Sequence, residues 1–235
     1  NMPKPPLKSC ILIPAYREEA HIAPVVREVL DYCSDVIVID DGSPDETAKM
    51  ATAAGATVLA HVRNQGKGAA LQTGFDHARE QGFDLAITLD ADGQHAPSDI
   101  PAFLQAWERT RSPVIVGNRM GSVDRMPWLR RVVNRFMSYL LSRVMGQYVP
   151  DTQCGFRLYH RSAFPEALYD KHSRRFAAES EILLRLSLQG RKIDAVAIQT
   201  LYGDERSKIR PFADTLRFLC MLRRFRKIKK EFLNP

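Results

Sequence analysis

Two carboxylates and an amide follow an apolar run near the middle of the sequence. The run covers residues 87–89, and Asp90, Asp92 and Gln94 come directly after it at alternate positions. Ligands of an open α/β sheet bind beyond the carboxyl ends of its strands. Two carboxylates this close repel each other unless a cation lies between them, and Mg²⁺ or Mn²⁺, completed by phosphate oxygens, meets that need. The spacing therefore predicts a metal site in an enzyme that handles a diphosphate, although an isolated Asp-x-Asp also occurs in turns and caps.

A second acidic pair closes an earlier β-branched run. Asp40 and Asp41 follow residues 36–39 and precede Gly42 and Ser43. A carboxylate at this point can accept a hydrogen bond from a nucleotide base or from a ribose hydroxyl. The same residues also suit a helix cap or a tight turn, so the pair alone leaves both interpretations open.

A lysine between two glycines opens the helix that follows the third predicted strand. Gly66 and Gly68 allow the backbone to approach a ligand closely, the helix N-terminus attracts anions, and Lys67 adds a positive charge. The spacing is not that of a P-loop. We expect this segment to bind the phosphate groups of a nucleotide.

Strands and helices alternate through the first half of the chain. The predicted strands cover residues 10–14, 36–39, 56–62, 85–89 and 114–116, and the predicted helices cover 20–32, 45–54, 68–81 and 100–109. Because the strands are continuous apolar runs, we expect an α/β fold with a mostly parallel central sheet and helices on both faces. Beyond these lie predicted helices at 129–145 and 175–188 and predicted strands at 155–159 and 193–200. We assign residues 1–210 to one catalytic domain and 211–235 to a C-terminal helix.

Four polar segments stand at the ends of the first four predicted strands, so one cleft can collect them. In chain order they are Pro14-Ala15-Tyr16-x-Glu18, Asp40-Asp41-Gly-Ser, Gly66-Lys67-Gly and Asp90-x-Asp92-x-Gln94. In this order the sequence resembles the family 2 inverting glycosyltransferases of the GT-A fold. More narrowly it resembles the polyprenyl-phosphate, dolichol-phosphate mannosyltransferase-like, sugar transferases. The resemblance covers residues 11 to about 208.

The resemblance implies a role for individual residues. The donor nucleotide is expected beside Pro14, Ala15, Tyr16, Glu18, Asp40 and Asp41, with Gly66, Lys67, Asp90 and Ala91 completing the donor site. The implied metal ligands are Asp90, Asp92 and Gln94, and the implied cofactor is Mg²⁺ or Mn²⁺. Arg119, at the end of Gly117-Asn-Arg119, corresponds to the arginine that serves the acceptor phosphate. Further matching segments are Asp151 to Arg157, Glu179 and Glu181 with Arg185, and Ser207-Lys208.

The predicted helix 129–145 carries side chains suited to a phosphate acceptor. Its apolar face consists of Val132, Val133, Phe136, Leu140 and Val144, and its opposite face of Arg131, Asn134, Arg135 and Ser138. The planar fork of arginine binds phosphate with two hydrogen bonds. The predicted acceptor-phosphate set is Arg119, Arg131 and Asn134, with Arg130 and Arg135 as substitutes for Arg131. A solvated polar face is the alternative.

The predicted reaction moves a sugar from a GDP- or UDP-sugar with inversion. A polyprenyl phosphate is already anionic, so Arg119 and Arg131 would position it without a strong base. A hydroxyl acceptor on a glycan or lipid needs a base, and Asp151 is the candidate by position. With Asp92, these residues form the predicted catalytic set. Two other classes of protein stay open. One is a nucleotidyltransferase, which would be expected to carry a glycine-rich basic loop near the N-terminus, and the other is a non-catalytic nucleotide-binding module at a membrane surface.

The composition favours an anionic partner. The 235 residues carry a formal charge of +7, and the predicted helix 211–232 is basic and amphipathic, which suits an anionic membrane surface or docking onto its own domain. No stacking pattern accompanies the basic residues, so nucleic acid is not expected. There is no apolar stretch of roughly 20 residues and no leader pattern. The four cysteines are scattered. We therefore expect a cytoplasmic protein, peripheral at the inner face of the membrane.

Overall fold

A seven-stranded sheet forms the centre of the protein. The computed structural model describes residues 7–121, 128–165 and 178–199 together with Arg223, and in the helix that starts at Trp128 it describes the side chains from Arg131 onward. The strands are β1 (Ser9–Ala15), β2 (Val36–Asp40), β3 (Thr57–Ala60), β4 (Leu85–Thr88), β5 (Val114–Asn118), β6 (Arg157–His160) and β7 (Ile193–Ala197). Their order across the sheet is β3-β2-β1-β4-β6-β5-β7.

The sheet is parallel except for β6. This strand lies between β4 and β5 and runs antiparallel to both, whereas β1 pairs in parallel with β2 and β4, and β5 pairs in parallel with β7. The carboxyl ends of β1, β2, β4 and β5 consequently meet at one edge. The segment that leads into β6 arrives at that same edge, because β6 runs the other way.

Six helices are described around this sheet. They are α1 (Ile22–Leu30), α2 (Thr47–Ala53), α3 (Lys67–Glu80), α4 (Ile100–Thr110), α5 (Trp128–Met145) and α6 (Ala178–Leu188). Two short 3₁₀ turns cover Pro97–Asp99 and Arg161–Ala163. The helices bury apolar stripes against strands that are themselves buried, as in β1, where Cys10 through Ile13 have no exposed surface.

The predicted α/β fold with a mostly parallel sheet is confirmed, and most predicted elements differ from the observed ones only at their ends. The strand expected at 193–200 ends at Ala197, and the strand expected at 155–159 starts at Arg157. The domain boundary at residue 210 and the expected helix 211–232, apart from Arg223, lie outside the described residues.

The polar face of α5 is largely buried, and the apolar face is buried only at its C-terminal end, at Val144. Val132 and Phe136 are 55% and 53% exposed, whereas Asn134, Ser138 and Ser142 are buried. The reason is polar contact with the segment that follows the helix. Thr152 N donates to Ser138 Oγ at 2.9 Å, and Val149 N donates to Ser142 Oγ at 3.0 Å. These hydrogen bonds satisfy backbone groups that would otherwise be buried without a partner, so they fix the rotation of the helix.

Candidate active site

The carboxyl ends of β1 and β2 bring the first two predicted donor segments together. Ala15 pairs with Asp40, and Asp41 N donates to Ala15 O at 2.9 Å. Arg17 N donates to Ser43 Oγ at 3.0 Å, so the turn after β2 holds the chain that follows β1. Tyr16 is 38% exposed at this edge. The Arg17 guanidinium lies over its ring, 5.4 Å from the ring centre, so the ring is partly exposed.

Glu18 has local partners in this turn, while the strand residues before it are more enclosed. Glu18 N donates to Thr47 Oγ1 at 2.9 Å, and its carboxylate lies 3.1 Å from His21 Nδ1. Ala15 is buried and Pro14 is half-buried at the end of β1. Hydrogen bonds to Ser43 and Thr47 thus hold segment 14–18 against the turn after β2 and the start of α2.

The Asp41 side chain holds the loop that precedes α3. It accepts hydrogen bonds from Gln65 N at 2.9 Å and from Gly66 N at 2.7 Å, and it lies 2.7 Å from His61 Nδ1. His61 Nε2 in turn lies 2.9 Å from Thr73 Oγ1 on α3. Asp41 is only 3% exposed. These contacts fix where α3 starts, and hence where Lys67 is placed.

Gly42 makes this arrangement sterically feasible. Its φ is +69°, and an added Cβ would lie 2.5 Å from Arg63 C and 2.8 Å from Asn64 N. These are backbone atoms and cannot rotate away. The neighbouring Asp40 is also buried, and its Oδ1 accepts a hydrogen bond from Ser43 N at 3.2 Å. A glycine is therefore required where the two loops cross.

Lys67 bridges two carboxylates that come from different elements. Its Nζ lies 2.5 Å from Asp90 Oδ1, beyond β4, and 2.9 Å from Glu179 Oε1, in the first turn of α6. Burial disfavours the charged forms, but the paired charges outweigh it: the pKa of Lys67 is raised and the pKa of Asp90 is lowered. Lys67 and Asp90 are therefore both ionised near neutral pH.

Asp92 and His95 complete the surroundings of Asp90. Burial and the nearby charge of Asp90 raise the pKa of Asp92, and Asp92 Oδ1 accepts a hydrogen bond from Gln94 N at 3.0 Å. His95 Nε2 lies 3.5 Å from Asp90 Oδ2, while His95 Nδ1 is buried without a hydrogen-bond partner in the part of the chain that the structure describes. An uncompensated carboxylate at Asp92 is a group that a cation would stabilise.

The residues around Asp90 and Asp92 have the chemistry that a hard divalent cation requires. A Cβ added to Gly155 would lie 2.7 Å from Asp90 Oδ2 and 2.8 Å from Glu179 Oε1, so this glycine lets the carboxylates converge. Over the described ranges, no group of three or more His, Cys, Asp and Glu side chains is arranged to hold a metal ion. Mg²⁺ often binds one or two carboxylates and completes its shell with substrate phosphates. The donor set therefore fits a cation that is shared with a diphosphate.

On the other side of β6, Arg119 and Asp151 form a buried ion pair. Arg119 Nε donates to Asp151 Oδ2 at 2.7 Å and Nη2 donates to Oδ1 at 3.0 Å. The carboxylate also accepts from the backbone N–H groups of Arg119 at 3.3 Å and Gln153 at 3.2 Å. The Asp151 side chain has no exposed surface, and that of Arg119 is 8% exposed. Both carboxylate oxygens are thus occupied.

The predicted acceptor residues of α5 share a face with Ser138, which contacts the loop next to Asp151. Asn134 is 8% exposed. Arg131 is half-buried, and its Nε is buried with no hydrogen-bond partner among the described residues. Arg135 is exposed. Arg131 and Asn134 therefore lie on the inward side of the helix, and Arg135 does not.

Arg157 connects the loop between Asp151 and β6 to the start of α6. It is fully buried and donates to Cys154 O at 2.7 Å, to Thr152 O at 2.9 Å and to Glu179 O at 2.7 Å. These carbonyl partners lie in the loop and at the start of α6. One guanidinium therefore connects the Asp151 loop with the backbone of the residue that contacts Lys67.

Comparison with known proteins identifies the family. Residues 10–168 match the family model described as Glycosyl transferase family 2. The chain belongs to this family. It is therefore a glycosyltransferase, and the nucleotidyltransferase and the non-catalytic binding module considered from the sequence are set aside.

Relatives of this family 2 glycosyltransferase include enzymes whose names specify dolichyl phosphate or polyprenol. The chain is 32% identical over 215 residues to the UDP-N-acetylglucosamine–dolichyl-phosphate N-acetylglucosaminyltransferase of Methanococcus voltae, covering 83% of this chain and 86% of the relative. It is 30% identical over 169 residues to the polyprenol monophosphomannose synthase of Mycolicibacterium smegmatis, covering 67% and 63%.

A solved structure supports the fold. The glucosyl-3-phosphoglycerate synthase of Mycobacterium tuberculosis, in complex with Mn²⁺, UDP and phosphoglyceric acid, superposes with a TM-score of 0.73 at 20% identity, covering 94% of this chain and 78% of that one. At this identity the likeness bears on the fold alone. Among the helices that the structure describes, none combines the length and hydropathy of a membrane span.

The structure brings the predicted residues of this glycosyltransferase to one edge of the sheet and adds several that the sequence analysis did not select as site residues. Asp40, Asp41, Lys67, Asp90 and Asp92 lie near the ends of β2 and β4 and the start of α3, and Arg119 with Asp151 lies across β6. The additions are His61, His95, Gly155, Arg157 and Glu179. Glu179 and Arg157 stood in segments matched to the family, so position was an available signal. No spacing rule indicated His61, because its partners Asp41 and Thr73 are distant in sequence.

Proposed function

We propose that this family 2 glycosyltransferase moves a sugar, with inversion, from a nucleoside diphosphate sugar to a polyprenyl phosphate, with Mg²⁺ or Mn²⁺ as cofactor. The observation that carries the acceptor assignment is the Arg119–Asp151 pair. Asp151 has no exposed surface and both its oxygens are engaged. It is poorly placed to take a proton from a hydroxyl, so an acceptor that is already ionised fits the site better.

The donor half of the reaction rests on the edge formed by β1, β2 and β4. The exposed Tyr16 ring would contact the base, and the residues of segment 14–18 would line the nucleotide. Asp41 holds the Gly66 loop, so that the N-terminus of α3 points its N–H groups toward the diphosphate. Lys67 would neutralise charge that develops on the leaving diphosphate. Asp90 and Asp92, with Gln94, would hold the metal, which when bound supplies Lewis-acid stabilisation of the diphosphate.

The acceptor half would use the guanidinium groups on the other side of β6. Asp151 orients Arg119 through two hydrogen bonds, and Arg131 offers a buried Nε–H that has no partner among the described residues. Arg119, Arg131 and Asn134 would fix a phosphate monoester in line with the anomeric carbon. Positioning of two reactants in this way removes much of the entropic part of the barrier.

The relatives support this acceptor class. The names of the two transferases described above specify dolichyl phosphate or polyprenol as the lipid. The membrane contact that such a lipid demands would come from the basic segment 211–235, of which the structure describes Arg223 alone. The competing acceptor, a hydroxyl on a glycan or lipid, requires Asp151 as a base.

A radiolabel transfer assay tests the proposal. The enzyme is supplied with UDP- and GDP-sugars and Mn²⁺, and with either a polyprenyl phosphate or the matching polyprenol. Transfer to the phosphate alone is expected, and efficient transfer to the polyprenol or to glycans would refute the acceptor assignment. Excess chelator should abolish turnover, and full activity in excess chelator would refute the assignment of a metal cofactor.

Two variants locate the acceptor phosphate. Arg131→Ala should raise the KM for polyprenyl phosphate by about 10-fold or more, the effect of losing one charged hydrogen bond of roughly 1.5–3 kcal/mol. Arg135→Ala, on the exposed side of the same helix, is the matched control and should leave that KM unchanged. Equal effects of the two substitutions would show that charge near the helix matters and that no specific phosphate contact exists.

A further inference from the structure

The ammonium group of Lys67 lies where a metal-bound Asp90 would need a cation. It contacts Asp90 Oδ1 at 2.5 Å and Glu179 Oε1 at 2.9 Å. His95 approaches the other oxygen, with Nε2 at 3.5 Å from Asp90 Oδ2. A side-chain nitrogen therefore lies near each oxygen of the carboxylate that would bind a metal, and the ammonium group of Lys67 makes the shorter contact.

The backbone at Lys67 is fixed, while its side chain has room to move. Lys67 is the first residue of α3, and the N–H of the preceding Gly66 is held by Asp41 at 2.7 Å. One third of the Lys67 side chain is exposed, and the Asp90 side chain is 28% exposed. Rotation about the side-chain bonds of lysine can thus release Asp90 without a change in the fold.

The charges around Lys67 make release unfavourable until another anion is present. Asp90, Asp92 and Glu179 contribute three carboxylates, and Lys67 is the lysine that contacts two of them. A divalent cation approaching Asp90 would meet the ammonium group at the same oxygen and be repelled. A diphosphate at the N-terminus of α3 offers the ammonium group a new partner and frees that oxygen.

We propose that Lys67 is an internal counterion that blocks Asp90 from metal in the absence of donor and is drawn away by the diphosphate, so that metal and donor bind cooperatively. The proposal rests on the proposed function, because it needs a metal and a nucleoside diphosphate. By reciprocity, each ligand raises the affinity of the other by the same factor. The device keeps the enzyme from holding a metal ion without a substrate to share it.

Mn²⁺ binding, followed by the electron paramagnetic resonance signal of the free ion, tests the proposal without turnover. Lys67→Met should bind Mn²⁺ alone about 10-fold more tightly than the wild type, within the usual range of coupling between sites. Lys67→Arg keeps the charge and should match the wild type. Lys49→Met removes the same charge from an exposed pair with Glu46 and should also match it. Wild-type or weaker Mn²⁺ binding by Lys67→Met would overturn the proposal.

The nucleotide arm separates this proposal from the proposed function. UDP or GDP should tighten Mn²⁺ binding of the wild type by about 10-fold and that of Lys67→Met by much less. If the wild type binds Mn²⁺ equally well with and without nucleotide, the counterion role is wrong and the metal assignment stands. If neither the wild type nor any variant binds Mn²⁺, with or without nucleotide, the metal cofactor of the proposed function is refuted, and this proposal is refuted with it.

A measurement on the unmodified protein covers the case in which Lys67→Met does not fold. With ¹⁵N-labelled lysine, the Nζ resonance of Lys67, assigned from Lys67→Arg, should shift when Mg²⁺ and UDP or GDP are added together. Mg²⁺ alone, at a concentration that saturates the nucleotide-bound enzyme, should leave it nearly unchanged. Saturation by Mg²⁺ alone with no movement of that resonance would show that metal and ammonium coexist, and would refute the proposal.

Discussion

Removal of the Asp151 charge is expected to destabilise the protein strongly. Asp151→Asn keeps the size of the side chain but removes the charge that four donor groups share: two from the Arg119 guanidinium and the backbone N–H groups of Arg119 and Gln153. Because both side chains are buried, water screens the pair little. Breaking one partner of such a pair costs about 3–5 kcal/mol. In a chain of this size that lowers the melting temperature by roughly 6–20 °C.

Denaturant unfolding of a double-mutant cycle measures this directly. Arg119→Met should cost a similar amount, since it leaves the Asp151 carboxylate buried. The double variant should cost less than the sum of the two by about 2 kcal/mol, because the charge left unpaired in each single variant is absent. An Asp151→Asn protein that unfolds at the wild-type denaturant concentration, yet loses turnover, would refute this reasoning. Asp151 would then be a base, as the hydroxyl-acceptor alternative requires.

Three further outcomes are expected from the site and the tail. Because the pKa of Asp92 is raised, its ionised form is disfavoured in the folded protein, and the stability of the protein falls as pH rises through that pKa. Asp92→Asn should therefore raise the melting temperature of the metal-free protein at pH 7 while nearly abolishing turnover. A lower melting temperature would contradict the assignment. Gly42→Ala should destabilise the protein and weaken nucleotide binding. Gly146→Ala is the control: its φ of +75° is similar but nothing lies near its added Cβ, so it should cost only the backbone strain of about 1–2 kcal/mol. Equal losses of stability in the two variants would contradict the steric argument. Truncation before Pro211 should abolish flotation with anionic liposomes, and wild-type flotation should weaken at high salt; a truncated protein that still floats would place the membrane contact elsewhere.

The sequence predicted the order of the elements and the types of residue at the strand ends. Continuous apolar runs indicate buried parallel strands. Asp90 and Asp92 follow such a strand closely and Lys67 opens a predicted helix, so local pattern was sufficient for them. The antiparallel direction of β6 was not predictable in this way, since pairing depends on contacts between residues far apart in the chain. It is this direction that brings Gly155 beneath Asp90.

Contacts that depend on tertiary structure were the part that the sequence could not supply. Helical periodicity identified two faces of α5 but could not decide whether the polar one is solvated or faces the site. The hydrogen bonds of Ser138 and Ser142 with residues 149–152 turn the polar face inward. Likewise, the pattern placed Asp151 as a candidate base, and only the structure shows it fully buried against Arg119. Side-chain type indicates what a residue can do, whereas its neighbours decide which of those roles it has.

The position of β6 has a consequence for the design of hybrid enzymes. Thr88 Oγ1, at the end of β4, donates to Gly155 O at 2.7 Å, and Gly117 N, in β5, donates to Phe156 O at 2.9 Å. The segment before β6 is thus shared by the half of the molecule that would bind the donor and the half that would bind the acceptor. Exchange of the Asp151 loop alone between relatives would disturb the Asp90 carboxylate. A graft intended to change acceptor choice should therefore transfer β5, α5 and β6 as one unit and leave the strands up to β4 untouched.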